Sequence, residues 1–270
     1  MKYIQRHDLQ EIGHDSLVRL GYRSSWRCGV HTSRSLMLDD LRRLMDYIPD
    51  PHADRASYVH AIEEENCLGK RSVRSRKLTR EYLITLYGLD PNVALFRVLR
   101  HFWHRDAAGR PLLAGLCAFV RDALLRQSAP FILAMQSGQL FSRQDLEAFL
   151  TEKNPDRFSM ATLASVAGNL AASWTRMGLL SGVKKKYRTH AQATTGSVAY
   201  ALFLGHVRGE RGIGLFTTDF IRLLECSPDR AIELAEDASR LGWMVLNHIG
   251  HVVEVAFPGL LHAQEQEWLA

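Results

Sequence analysis

Apolar residues recur every three or four positions along most of the chain, the period of amphipathic helices. Leu36, Leu41, Leu44 and Ile48 form one such stripe, which predicts a helix from a Ser33 cap to Tyr47, ended by Pro49 and Pro51. Asp54 opens a second helix through Tyr58, Ile62 and Leu68. Ser72 caps a third, with Leu78, Tyr82, Leu83 and Leu86 turned inward and Gly88 at its end. Asp90-Pro91 reads as a cap and a first-turn proline launching Val93–His104. Gly109-Arg110-Pro111 leads into a helix over Leu112–Leu125, with a further short one over Ala129–Met135.

The second half repeats one outline twice. Ser142 caps a helix through Leu150, and Ser159 caps a longer one to Met177, stopped by Gly178. Helix, turn, longer helix and glycine stop describe a helix-turn-helix or winged-helix core, and Lys184-Lys185-Lys186-Tyr187-Arg188 lies where a wing would be. Asn169 and Arg176 are the long helix's plausible base readers. Its Ala161, Ala164, Ala167, Ala171 and Ala172 suit close helix packing, so a helical hairpin inside a bundle fits the same pattern. Further on, Thr217/Thr218 opens Asp219–Leu224, and Ser227-Pro228 starts a helix to Leu241 that Gly242 stops. Trp243–Leu246 and Val252–Ala256 then read as a β-hairpin. The predicted class is mainly α, a multi-helix bundle with winged-helix-like elements and one short C-terminal hairpin. Linear segmentation gives an extension over 1–32, a helical domain over 33–136, a basic helix-turn-helix-like region over 137–208 and an acidic winged-helix-like module over 209–270.

Composition alters this picture little. Of 270 residues, 46% are hydrophobic and 23% charged, as in ordinary globular chains. The four cysteines (Cys28, Cys67, Cys117, Cys226) are far apart with no CxxC pair, which excludes a disulfide framework and suits a reducing, cytoplasmic setting. Met1–Asp8 lacks the apolar core of a signal peptide. Two uncharged stretches, 158–175 and 189–207, carry too many polar residues to read as membrane spans, so no membrane partner is expected.

Charge alters it more. The net charge is only +5, but no Asp or Glu occurs from Arg157 to Gly209, a stretch carrying seven Lys and Arg. A second acid-free run between Glu65 and Glu81 holds Lys70, Arg71, Arg74, Arg76, Lys77 and Arg80. Beyond Gly209, ten acids face four arginines. Basic clusters of this kind are the footprint of a polyanion binder, and also of a merely solvated face. The would-be recognition helix near the end bears Asp229, Glu233, Glu236 and Asp237, which repel phosphate and favour a protein partner.

Motifs for chemistry are sparse. His101 and His104 sit at i and i+3, and His248 and His251 flank a turn. Neither pair has an HExxH glutamate or a cysteine cluster, so no metal is expected. Arg208–Gly214 is glycine-rich but matches no phosphate-cradling loop, and no GxSxG elbow occurs. Glu63-Glu64-Glu65 reads as a solvated acidic face. The sequence points away from an enzyme and implies no cofactor.

Two stretches carry a family resemblance. Ala61-Ile62-Glu63-Glu64-Glu65-Asn66-Cys67-Leu68-Gly69-Lys70-Arg71-Ser72, running on through Arg76 and Leu78-Thr79-Arg80 to Leu89-Asp90-Pro91, is similar to the N-terminal signature of the BrxA family of bacteriophage-exclusion (BREX) defence systems. That signature is an acidic-Asn-Leu helix end, a Lys-Arg-Ser turn and a basic helix. The resemblance spans residues 33–125 and weakens through the helix-turn-helix region. It implies an all-helical cytoplasmic protein that binds duplex DNA without marked sequence preference and has no catalytic role, with Lys70, Arg71, Arg74 and Lys77 as candidate contacts. Charge clustering adds Arg176, Lys184, Lys185, Lys186 and Arg188. Three functions compete: a DNA-binding accessory protein of a prokaryotic phage-defence system, an adaptor scaffold without nucleic-acid contact, and a hydrolytic enzyme with a dispersed site. In the first, other defence-system proteins would dock on the acidic C-terminal module; in the second, the winged-helix-like end docks a partner of a multiprotein complex.

Overall fold

Local capping chemistry sets most helix starts. A computed structural model describes residues 14–23, 29–50, 53–249 and 252–269. Among them are α1 (His14–Arg19), α2 (Leu38–Tyr47), α3 (Arg55–Glu63), α4 (Val73–Tyr87), α5 (Ala94–Arg105), α6 (Arg110–Arg121) and α7 (Ala123–Ala134). Then come α8 (Arg143–Lys153), α9 (Met160–Arg176), β1 (Leu180–Ser181), β2 (Tyr187–Arg188) and α10 (Thr195–Val207). The chain closes with α11 (Asp219–Leu223), α12 (Pro228–Arg240), β3 (Val245–Ile249), β4 (Val252–Ala256) and α13 (Ala263–Glu267). Mainly helical, with a two-stranded antiparallel sheet near the C-terminus, is what the periodicity predicts. Asp54, Ser72, Ser142, Ser159, Thr218 and Ser227 each accept a backbone N–H of the first helical turn.

Four boundaries differ from expectation, the first being that α3 ends at Glu63 and does not reach Leu68. α2 starts at Leu38, not after Ser33, because a 3-10 turn over Val30–Thr32 and a left-handed Met37 precede it. Asp90 caps no helix: its carboxylate closes a turn on the Asn92 N–H, and α5 begins at Ala94. The helix expected over 112–125 breaks at Asp122, whose carboxylate accepts from Leu124 and Leu125 and starts α7 afresh, running through Pro130.

The chain forms two compact units that are not consecutive along it. One comprises 1–23, 93–116 and 192–270, the other 24–92 and 117–191, so the chain passes from one to the other inside α6. The first unit is built around α10, eleven of whose thirteen residues are buried. An all-round apolar helix belongs inside a protein, which accounts for the uncharged stretch over 189–207. Tyr22 and Tyr200 satisfy their buried hydroxyls on the carbonyls of Leu204 (2.7 Å) and Leu95 (3.1 Å). β3 and β4 pair Val245 with Ala256 and Asn247 with Glu254; the turn residues Gly250 and His251 lie outside the described residues.

The second unit holds 21 Lys and Arg against 15 Asp and Glu, the first 13 against 14. Its helices α7, α8 and α9 are followed by the β1–β2 hairpin, and Leu140, ahead of α8, bridges to Tyr187 of β2. A buried polar network secures it. His31 Nδ1 lies 3.0 Å from Asp122, His31 Nε2 lies 2.9 Å from Ser173 Oγ, and Asp122 also accepts from the Val30 N–H at 2.6 Å. No helix among the described residues is long and apolar enough to cross a membrane.

Candidate nucleic-acid interface

Where each cation of the second unit points decides what it can bind. On α4 the basic residues fall into two stripes, as helical spacing requires. Arg76 and Arg80 face α3: Arg76 donates to the Glu63 carbonyl and Arg80 pairs with the Glu63 carboxylate at 2.8 Å. Arg74 and Lys77 form the other stripe and, with Arg71 just ahead of the Ser72 cap, are exposed and have no partner among the described residues. Lys70 is turned back, its ammonium 2.7 Å from Asp40 and its backbone held by Asn66.

The hairpin after α9 divides its cations similarly. Its tip needs Gly182, whose φ is +104° and where any Cβ would collide with the Lys185 carbonyl. Lys186 braces the tip, donating to Gly182 O at 3.2 Å and to Thr175 Oγ1 on α9 at 2.9 Å. Lys184 and Lys185 stand exposed with no partner among the described residues.

Arg188 corrects one expectation. It is 2% exposed, and its guanidinium donates to the carbonyls of Ile132 (2.9 Å), Leu179 (3.2 Å) and Thr189. The side chain alternates to the inner face of β2, opposite exposed Tyr187, so it pins the hairpin and meets no phosphate. Arg176 is exposed but paired with Asp39 on α2. Sequence reasoning missed Asp39 and Asp40, which engage one cation from each basic run, Arg176 and Lys70, on the first turn of α2. Two adjacent acids at a helix start were the available signal.

The long helix reads no bases through Asn169, whose amide donates to the His31 carbonyl at 3.0 Å. Its outward stripe of Ala161, Ser165, Gly168 and Ala172 is small.

The remaining chemistry is inward. Asp122, His31 and Ser173 have the order of a hydrolytic triad, but all three are fully buried. Ser173 Oγ also donates to Asn169 O and accepts from Leu36 N, each at 2.9 Å. No substrate atom reaches it; the network ties the 29–36 segment to α7 and α9. The His31 side chain beside it, helped by backbone N–H donors, holds the Asp122 carboxyl below the usual range despite burial. Burial pushes the Cys67 thiol up to about 11, which leaves it unreactive at neutral pH. His101, one of the paired histidines, is pushed down to about 4 by burial. No three His, Cys, Asp or Glu side chains converge as metal ligands among the described residues; His251 lies outside them.

Compared with known protein families, curated proteins and solved structures, the chain matches none.

Proposed function

We propose that this chain is a non-catalytic accessory protein that binds duplex DNA through phosphates with little sequence specificity, in the phage-defence setting its resemblance to the BrxA family implies. The observation that carries the reading is the division of labour among cations. Arg76, Arg80, Lys186 and Arg188 are spent on holding α4 and the hairpin in place. Arg71, Arg74, Lys77, Lys184 and Lys185 are left exposed and without partners among the described residues. The order helix, bridge strand, helix, longer helix and hairpin supports a winged-helix reading of residues 123–188, with β1–β2 as the wing. The small outward stripe of α9 supports low specificity, since base edges are read by long polar side chains.

The test is gel retardation of short duplexes of unrelated sequence at two salt concentrations. Binding of all of them, weakening steeply with salt, is the expected result. A strong preference for one sequence, or affinity indifferent to salt, contradicts the reading. The adaptor alternative rests on α12, where Asp229, Glu233 and Glu236 line up on one exposed stripe. Under that reading, duplexes fail to bind and defence-system proteins dock on α12.

A further inference from the structure

The hairpin tip carries one residue that attraction to phosphate does not explain. Val183 is 92% exposed, directly before the two unpartnered lysines. An apolar side chain so placed contributes nothing to the core, and the backbone around it is held firmly. Gly182 adopts a conformation that only glycine fits, Lys186 ties the tip to α9, and Arg188 anchors β2 from beneath through three carbonyls. Leu140 and Tyr187, bridged to one another, add further exposed apolar surface to the same hairpin. The result is a stiff arm ending in a small hydrophobic point followed by free positive charge.

Resting on the DNA-binding reading above, we propose that Val183 is a wedge that enters the minor groove of duplex DNA and partly unstacks a base step, with Lys184 and Lys185 on the flanking phosphates. Proteins that bind the minor groove insert apolar side chains in this way and bend the duplex toward the major groove. Such insertion requires a side chain already positioned, because ordering a floppy tip would offset what the contact gains. It also identifies where sequence preference enters. Unstacking is easiest at pyrimidine–purine steps, so this protein discriminates by how readily DNA deforms, not by base edges that α9 does not reach.

The experiment uses the full chain and duplexes carrying a donor and an acceptor dye at their ends, with or without a central run of TA steps. Wild-type protein is expected to shorten the end-to-end distance, to prefer the TA-containing duplex and to be displaced by netropsin, a minor-groove ligand. Val183→Ser is expected to lose the bend and about tenfold in affinity for the TA duplex while keeping its salt slope, and Val183→Phe to keep the bend. Because Val183 is exposed, melting of both variants should match wild type.

If Val183→Ser bends and binds as wild type does, the wedge is wrong and the DNA reading stands. Wild-type binding that neither bends DNA nor yields to netropsin also overturns it. So does equal affinity for duplex RNA, whose minor groove is wide and shallow. If neither wild type nor a Lys184→Ala/Lys185→Ala variant shows salt-dependent binding to any duplex, the DNA reading falls and the wedge with it.

Discussion

The five cations at α4 and the hairpin that have no partner among the described residues predict how salt controls binding. Arg71, Arg74, Lys77, Lys184 and Lys185, each releasing its share of counterions, give a slope of log affinity against log salt of up to about −4.5. Between about 50 and about 200 mM salt, affinity should then fall about five-hundredfold. Lys184→Ala/Lys185→Ala should make that slope shallower by about 1.8, and Arg71→Ala/Arg74→Ala/Lys77→Ala by about 2.7. Melting should barely move, since none of the five is paired among the described residues and exposed charges contribute about 0–1 kcal/mol. Arg188→Ala is the control that inverts the pattern. It removes a buried guanidinium and its hydrogen bonds to three carbonyls, of which those of Ile132 and Leu179 keep a backbone donor, an expected cost of a few kcal/mol, seen as a lower melting temperature. Salt slopes from fluorescence anisotropy titrations, with melting curves beside them, complete the comparison. An unchanged slope in both exposed-cation variants, or a lower slope in a fully folded Arg188→Ala, refutes the assignment of the surface.

Three further outcomes follow from the same geometry. Asp122→Ala leaves His31 buried without its carboxylate and should cost about 3–5 kcal/mol in denaturant unfolding, so a variant as stable as wild type contradicts the network's role. His101 and His206 are held at about 4 by burial, below the value near 6.5 expected in the unfolded chain. Between those two pH values the unfolded chain binds protons that the folded one refuses, so stability is full above about 6.5 and declines as pH falls toward about 4. Asp122, whose folded value is depressed, adds its loss only as pH drops through that lower value; a melting temperature flat from neutral pH to about 4 rules out the histidine contribution. Asp39→Asn releases Arg176 and removes a carboxylate from the basic surface, so DNA affinity should rise a few-fold at low salt; a decrease would place Asp39 in a different role.

What the sequence reveals and what it hides divide by range. Caps at Asp54, Ser72, Ser142, Ser159 and Ser227 are legible because a short polar side chain satisfies an N–H three residues away. The C-terminal hairpin is legible from its two β-rich runs. α10 is not legible by period, since a helix buried on every side has no polar face to mark its turns. The break at Asp122 is hidden for a related reason: its carboxylate also serves Val30 and His31, ninety residues earlier. Among the candidate contacts, Lys184 and Arg188 look alike in sequence. Only the strand alternation at Tyr187–Arg188, inferred once a hairpin is granted, points to the arginine as the inward member.

The interleaving of the two units has a consequence for how the protein is made. Every segment of the second unit has left the ribosome once Ala191 emerges, so the unit carrying the basic hairpin can close while the rest is still being synthesised. The first unit must wait. Tyr22 and Leu95 are translated early, yet the Leu204 carbonyl and the Tyr200 hydroxyl that they bond come more than a hundred residues later. A stop codon ahead of α10 therefore yields a chain whose early apolar segments lack the helix they close upon. Cutting before Glu210 removes α11, α12 and the C-terminal hairpin from a unit that also contains α1 and α5. Such a fragment should be prone to aggregation and to proteolysis in the cell, and swaps at that boundary would fail for reasons unrelated to DNA.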